Sequence, residues 1–160
     1  MLGCRLRRAF LAVAAGLLAA CATPPPPTPA ATWSGRLVLS LASDPPQRFS
    51  AVFELEGTAQ AGVLRLFGPL GAQAAEVRWS PTGAWLDRGD GQPAPYPDLA
   101  ALTADLIGAA VPVTAVLDWL AGRPHPLPGW EVDLSEQPQG RLRARRLTPA
   151  PEADLRLLWH

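Results

Sequence analysis

The 160-residue chain carries 14 arginines, no lysine and 14 acidic residues, so its formal charge is zero, and 48% of its residues are hydrophobic. That balance leaves no basic excess for a nucleic-acid surface, and two cysteines cannot build a disulfide framework. The two histidines, His125 and His160, have no second His or Cys at metal-ligand spacing, so no zinc motif is present.

Residues 1–20 have the three parts of a secretory signal: Arg5, Arg7 and Arg8, then an apolar run over 10–18, then small residues before a cut. The apolar run is too short for a comfortable transmembrane helix. Leu18-Ala19-Ala20-Cys21 matches the lipobox pattern, in which the thiol takes a diacylglyceryl group before cleavage, so Cys21 is the expected lipidation site. Cys4 would leave with the signal. Stable anchoring needs more than one acyl chain, which a lipoprotein's lipid group provides. Cleavage would remove three arginines and no acid, leaving eleven positive against fourteen negative charges, a net −3. Ala22, rather than Asp, follows Cys21; by resemblance to lipoproteins of Gram-negative bacteria this favours sorting to the outer membrane, on its periplasmic side. Residues 21–32, with Pro24-Pro25-Pro26-Pro27 and Pro29, read as a stiff polyproline II tether, and a single folded domain is expected over 33–160.

From Trp33 the pattern has period two. Leu37, Leu39 and Leu41 share one face, as do Phe49, Ala51, Phe53 and Leu55, with Ser50, Glu54 and Glu56 on the other. Segments 63–67, 75–79 and 84–88 continue it, separated by turns at Asp44-Pro45-Pro46, residues 57–62, Ser80-Pro81-Thr82-Gly83 and Gly89-Asp90-Gly91. The period then lengthens. Asp98 is a good N-cap, and Leu99, Leu102 and Leu106 recur at helical spacing up to Gly108. A second helix starts at Pro112 and carries Val116, Leu117, Trp119 and Leu120 to Gly122. Strand patterns return at 130–134, 141–147 and 155–159. The arginines at 141, 143, 145 and 146 mostly alternate with Leu142 and Ala144, as the solvent face of a strand would. Five strands, two helices and three strands make an α+β domain: a curved antiparallel sheet with helices over its concave side or open mouth.

No G-x-S-x-G elbow or phosphate loop is present, and the acids scatter over the polar phases of strands, so no catalytic residue is identified and no cofactor is expected. Two features stand out. Six tryptophans are spread over nearly every element, either filling a core or lining a cavity kept open for an apolar ligand. The tip Phe67-Gly68-Pro69-Leu70-Gly71 projects one leucine from a turn, and on a membrane-anchored protein that leucine could touch a lipid surface.

The lipobox Leu18-Ala19-Ala20-Cys21, the opening strand Trp33-Ser34-Gly35-Arg36-Leu37 and the loop Pro69-Leu70-Gly71 followed by Glu76-Val77 resemble the LolB family. So do Pro112-Val113, Trp119-Leu120-Ala121-Gly122-Arg123-Pro124 and Gly129-Trp130. The resemblance spans 33–130 and fades towards the C-terminus. It implies an unclosed, half-open antiparallel β-barrel with a helical lid over a hydrophobic cavity. It also implies a monomeric, non-enzymatic outer-membrane receptor, which takes acylated lipoproteins from the periplasmic carrier LolA and inserts them into the inner leaflet of the outer membrane. The family's membrane-insertion leucine falls on Leu70, in the loop of Gly68, Pro69 and Gly71, and its lid tryptophan on Trp119. Strand phase adds Leu37, Leu39, Phe53, Leu64, Leu66 and Trp79 as acyl-cavity candidates. Two departures are visible: proline runs almost directly into Trp33 where relatives carry a helix, and residues 141–160 leave room for about two strands. The first would leave the lid one helix short. A different class of function, a structural or adaptor outer-membrane lipoprotein binding another envelope protein, requires a filled interior instead.

Overall fold

The computed structural model describes residues 31–108 and 110–160. The signal segment, Cys21 and nearly all of the tether lie outside the described residues.

Among the described residues nine strands form one antiparallel sheet. In chain order they are β1 (Ala31–Leu41), β2 (Gln47–Gly57), β3 (Gly62–Phe67), β4 (Gln73–Ser80), β5 (Gly83–Asp87), β6 (Ala94–Tyr96), β7 (Trp130–Asp133), β8 (Arg141–Arg146) and β9 (Ala153–Trp159). Their spatial order is β6-β5-β4-β3-β2-β1-β9-β8-β7, so β6 and β7 are edges that do not meet. Between them in sequence run α1 (Leu99–Ile107) and α2 (Val113–Leu120), with a 3-10 turn at Gln137–Gln139 following β7. The molecule is an unclosed antiparallel barrel with a two-helix lid.

The alternating sequence explains the sheet. On β2, Ala51, Phe53 and Leu55 are buried while Val52, Glu54 and Glu56 between them are exposed, as a pleat with one wet face demands. The outer face is laced by cross-strand charge: Arg65 stands opposite Glu76 and donates to it at 3.1 Å, and Arg78 reaches the same carboxylate. Arg143 and Arg156 likewise converge on Asp154.

Helix α1 begins where Asp98 accepts a hydrogen bond from Ala101 N at 2.7 Å, satisfying one donor of the first turn. It stops at Gly108, whose φ of 71° is the left-handed cap that a Cβ disfavours. Pro112 is the N-cap of α2 rather than its first helical residue. Gln137 Nε2 donates to Leu120 O at 2.9 Å and so closes that helix's far end.

Three expectations are corrected. Six strands precede the helices, not five: β6 is three residues with Pro95 at its centre, a residue that removes a ladder donor and hides a strand from pattern reading. The first strand starts at Ala31, two residues before the domain boundary expected at Trp33. Arg146 departs from the solvent face of β8. Arg141, Arg143 and Arg145 are exposed, but Arg146 shares the inward phase of Leu142 and Ala144 and is fully buried.

Candidate functional site

Antiparallel register places the connections 42–46, 68–72, 88–93 and 147–152 at one end of the barrel. Helix α1 leaves β6 at the opposite end and rises across the opening until Ile107 meets Arg146, at the same end as those turns. The inner faces of the sheet and the undersides of α1 and α2 enclose a cavity of about 560 Å³. That lies within the range of roughly 300–1,000 Å³ common for small-ligand sites.

The wall is apolar because the inward phase of most strands is apolar. Leu37 and Leu39 on β1, Phe53 on β2, Leu64 and Leu66 on β3, Trp79 on β4 and Trp119 on α2 all lie along it. They differ in packing. Phe53, Trp79 and Trp119 are buried, while Leu37, Leu39, Leu64 and Leu66 keep part of their surface open to the empty space. Further wall residues lie in the same strand phases and helix faces, including Leu41, Leu55, Val77, Leu102, Leu117 and Leu157. Extending the period-two argument along each strand would have found most of them. Trp130 was not singled out as wall, yet its ring lies 6.1 Å from that of Trp119 at 42°, within the range of favourable aromatic pairs.

The polar ends of the tryptophans are satisfied away from the cavity. Trp119 Nε1 donates to His125 O at 3.0 Å and Trp79 Nε1 to Thr58 O at 3.0 Å, so both rings present carbon to the interior. His125 in turn meets Asp118 Oδ2 through Nδ1 at 2.8 Å, and Arg123 binds the same carboxylate's Oδ1. Hydrogen bonds from His125 and Arg123 hold the Asp118 carboxyl below its ordinary value.

The rim lies at the turn end. Phe49 and Leu106 stand there, each 42% exposed. The turn between β3 and β4 is closed by Gly68 N donating to Ala72 O and Gly71 N to Gly68 O, both at 2.9 Å. Gly71 adopts a φ of 79° and lets the chain reverse tightly. Leu70 at its tip is 98% exposed, while Pro69 and Gly71 are exposed beside it and Gly68 is partly covered. The loop and the mouth share one end of the molecule. Among the described residues no three His, Cys, Asp or Glu side chains converge into a metal-binding set, and no helix is long and apolar enough to cross a membrane.

Residues 31–148 match a family model described as outer membrane lipoprotein LolB. A protein named outer-membrane lipoprotein LolB from Azoarcus sp. (strain BH72) is 33% identical over 162 residues, taking in 87% of this chain and 84% of that protein. One of the same name from Alkalilimnicola ehrlichii is 34% identical over 155 residues, 86% of this chain and 75% of that one. A shorter stretch of 63 residues is 44% identical to its counterpart from Bordetella pertussis, covering 38% of this chain and 31% of that protein.

Proposed function

The chain belongs to the LolB family of outer membrane lipoproteins, and from that membership we propose that it is a non-enzymatic acyl-chain receptor. It works as a monomer, anchored through lipidated Cys21 after removal of residues 1–20 and held off the outer membrane by the proline tether. It accepts the acyl chains of lipoproteins from the periplasmic carrier LolA and delivers them to the inner leaflet of the outer membrane.

The observation that carries this reading is the placement of an apolar cavity mouth and the exposed Leu70 at one end of the barrel. An acyl chain moving from a carrier into this cavity, and then into a bilayer, exchanges one apolar environment for another. Little hydrophobic free energy is lost at any step, so affinity need only rise along the route and no nucleotide has to be spent. Leu37, Leu39, Phe53, Leu64, Leu66, Trp79 and Trp119 would line the chain's path. Leu70, carried by Gly68, Pro69 and Gly71, would enter the lipid surface and bring the mouth to it.

The test uses the chain from residue 21 with Cys21→Ala, with and without Leu70→Glu. Each is mixed with carrier loaded with labelled lipoprotein and then with liposomes, scoring uptake and delivery separately. Leu70→Glu is expected to take up cargo normally and to lose delivery at least tenfold, since a carboxylate cannot enter the lipid surface. If the form without the loop change takes up no acyl cargo, the receptor reading fails and an adaptor role, binding another envelope protein through its surface, replaces it.

A further inference from the structure

A diacylglyceryl group brings two acyl chains to a cavity that holds about 560 Å³. An apolar cavity of about 150 Å³ in a protein accepts one benzene, so enclosed hydrocarbon needs about 25 Å³ per carbon. At that density about 560 Å³ has room for about 22 carbons. One chain of about 16 carbons fits with space to spare, whereas two would need about 800 Å³. The walls resist widening to that extent. The rings of Trp79 and Trp119 are fixed by their bonds to Thr58 O and His125 O, both at 3.0 Å, and Trp119 packs against Trp130 at 6.1 Å. Both lid helices are pinned at their far ends: Arg146 Nη1 donates to Ile107 O at 2.7 Å, and Gln137 Nε2 to Leu120 O at 2.9 Å. Making room for a second chain would break bonds of this set, and each broken bond leaves a covered polar group without its partner.

The wall also decides which end of a chain enters. Its longer polar side chains, Gln47, Arg48 and Arg88, all belong to the turn end of the sheet. Beyond them and the tryptophans, the one polar side chain along the wall is Thr103. Its hydroxyl is already engaged, accepting from Val111 N at 2.8 Å and donating to Ala100 O at 3.0 Å. An ester carbonyl carried inside would lose its water and find no free donor, a cost that a methyl end escapes. We propose that the site takes a single acyl chain, methyl end first, and that the glyceryl group and every further chain of a client stay outside the mouth. This rests on the receptor reading and sets its capacity. The hydrocarbon left outside lies at the end from which Leu70 projects, so it is the first part of the cargo to meet a bilayer.

The test makes two measurements on the chain from residue 21 carrying Cys21→Ala. In the first, calorimetry counts the molecules of cis-9-hexadecenoate bound, with the fatty acid kept below its aggregation concentration. One per protein is expected, and two of like affinity overturn the single-chain site. In the second, two synthetic lipopeptides compete for the cavity with an apolar dye. They are identical except that the glyceryl thioether on the N-terminal cysteine carries one or two hexadecanoyl chains. Each methylene taken out of water is worth about fourfold in affinity, so enclosing a second chain would tighten binding by several orders of magnitude. The two lipopeptides are expected to bind within about tenfold of each other, because the second chain of the larger one stays outside. A greater gain for the two-chain lipopeptide overturns the proposal and leaves the receptor reading standing. If neither lipopeptide nor the fatty acid binds, the receptor reading falls as well.

Discussion

Arg146 donates through Nη1 to Ile107 O at 2.7 Å and through Nε and Nη2 to Pro151 O at 3.2 and 2.6 Å, joining the last turn of α1 to the connection between β8 and β9. All of its partners are carbonyls, and burial pushes the guanidinium below its ordinary value. Burying a cation without a carboxylate is costly, but removing it would strand carbonyls that nothing else satisfies. Arg146→Leu should therefore destabilise the fold by about 2 kcal/mol, measured by urea denaturation, and Arg146→Lys should recover only part because ammonium lacks the fork. Its inward position was legible in the sequence: it sits two residues after Ala144, in phase with Leu142 and Ala144. Its charge obscured that phase, since a run of arginines reads as solvated surface. The Asp118 cluster allows a pH prediction at the same scale. Its carboxyl is depressed in the folded protein below the value of 3.8, so the stability it contributes is complete above about pH 4 and is lost as pH falls through the folded value. Asp118→Asn should cost stability at pH 7, and the gap to the parent should close as denaturation is repeated from pH 4 downward. A gap that stays constant across that range would show the cluster to be energetically silent.

The helices are the elements most fully written in the sequence. Asp98, the leucines at 99, 102 and 106, and Gly108 give the bounds of α1 correctly, because capping and periodicity are local properties. What closes the lid onto the barrel is not local. Thr103 Oγ1 accepts from Val111 N at 2.8 Å and so folds the connection back onto α1, while Ile107 O is held from β8, 39 residues away. No period-counting reaches such pairs. β6 escaped for a related reason: Ala94-Pro95-Tyr96 has neither the length nor the alternation of a strand and is paired only through β5. Gly108 is the point where local and distant demands meet. It carries a φ of 71°, and a Cβ added there would come to 3.9 Å from the Arg146 guanidinium, which is open contact rather than a clash. Gly108→Ala should thus cost about 1 kcal/mol, the backbone strain alone, without disturbing Arg146. Amide exchange should show the last turn of α1 opening more often while the protection of β2 is unchanged. A loss spread evenly over sheet and helix would mean that lid and barrel open together.

At the scale of the whole molecule the inward faces are unequally packed, and that inequality is the functional statement. β2, in the middle of the meander, buries Ala51, Phe53 and Leu55, whereas the inward leucines of β1 and β3 on either side are only partly covered although they face the same interior. An ordinary core would fill that space, because close packing of apolar side chains is where most folding free energy arises. Sequence patterning gave a curved antiparallel sheet, its polar exterior and the inward leucines of its strands, since alternation records which face a residue takes; the half-open barrel came from the family resemblance. Patterning left the interior undecided between filled and empty, because six tryptophans serve either outcome and the volume depends on the curvature of the sheet and the height of the lid. Filling the space artificially separates the two demands. Leu64→Trp adds volume into the cavity from a partly covered position on β3. It should leave the fold as stable as before or raise it by about 0.5–1 kcal/mol, as cavity-filling changes commonly do. Binding of dodecanol, followed through a displaced apolar dye, should weaken several-fold, and acceptance of lipoprotein from a carrier should fall in parallel. The paired outcome is what identifies the space as a site: uptake must fall while stability holds or rises. If both decline, the leucine is ordinary core that the larger ring has overpacked; if neither changes, acyl chains take another path across the molecule.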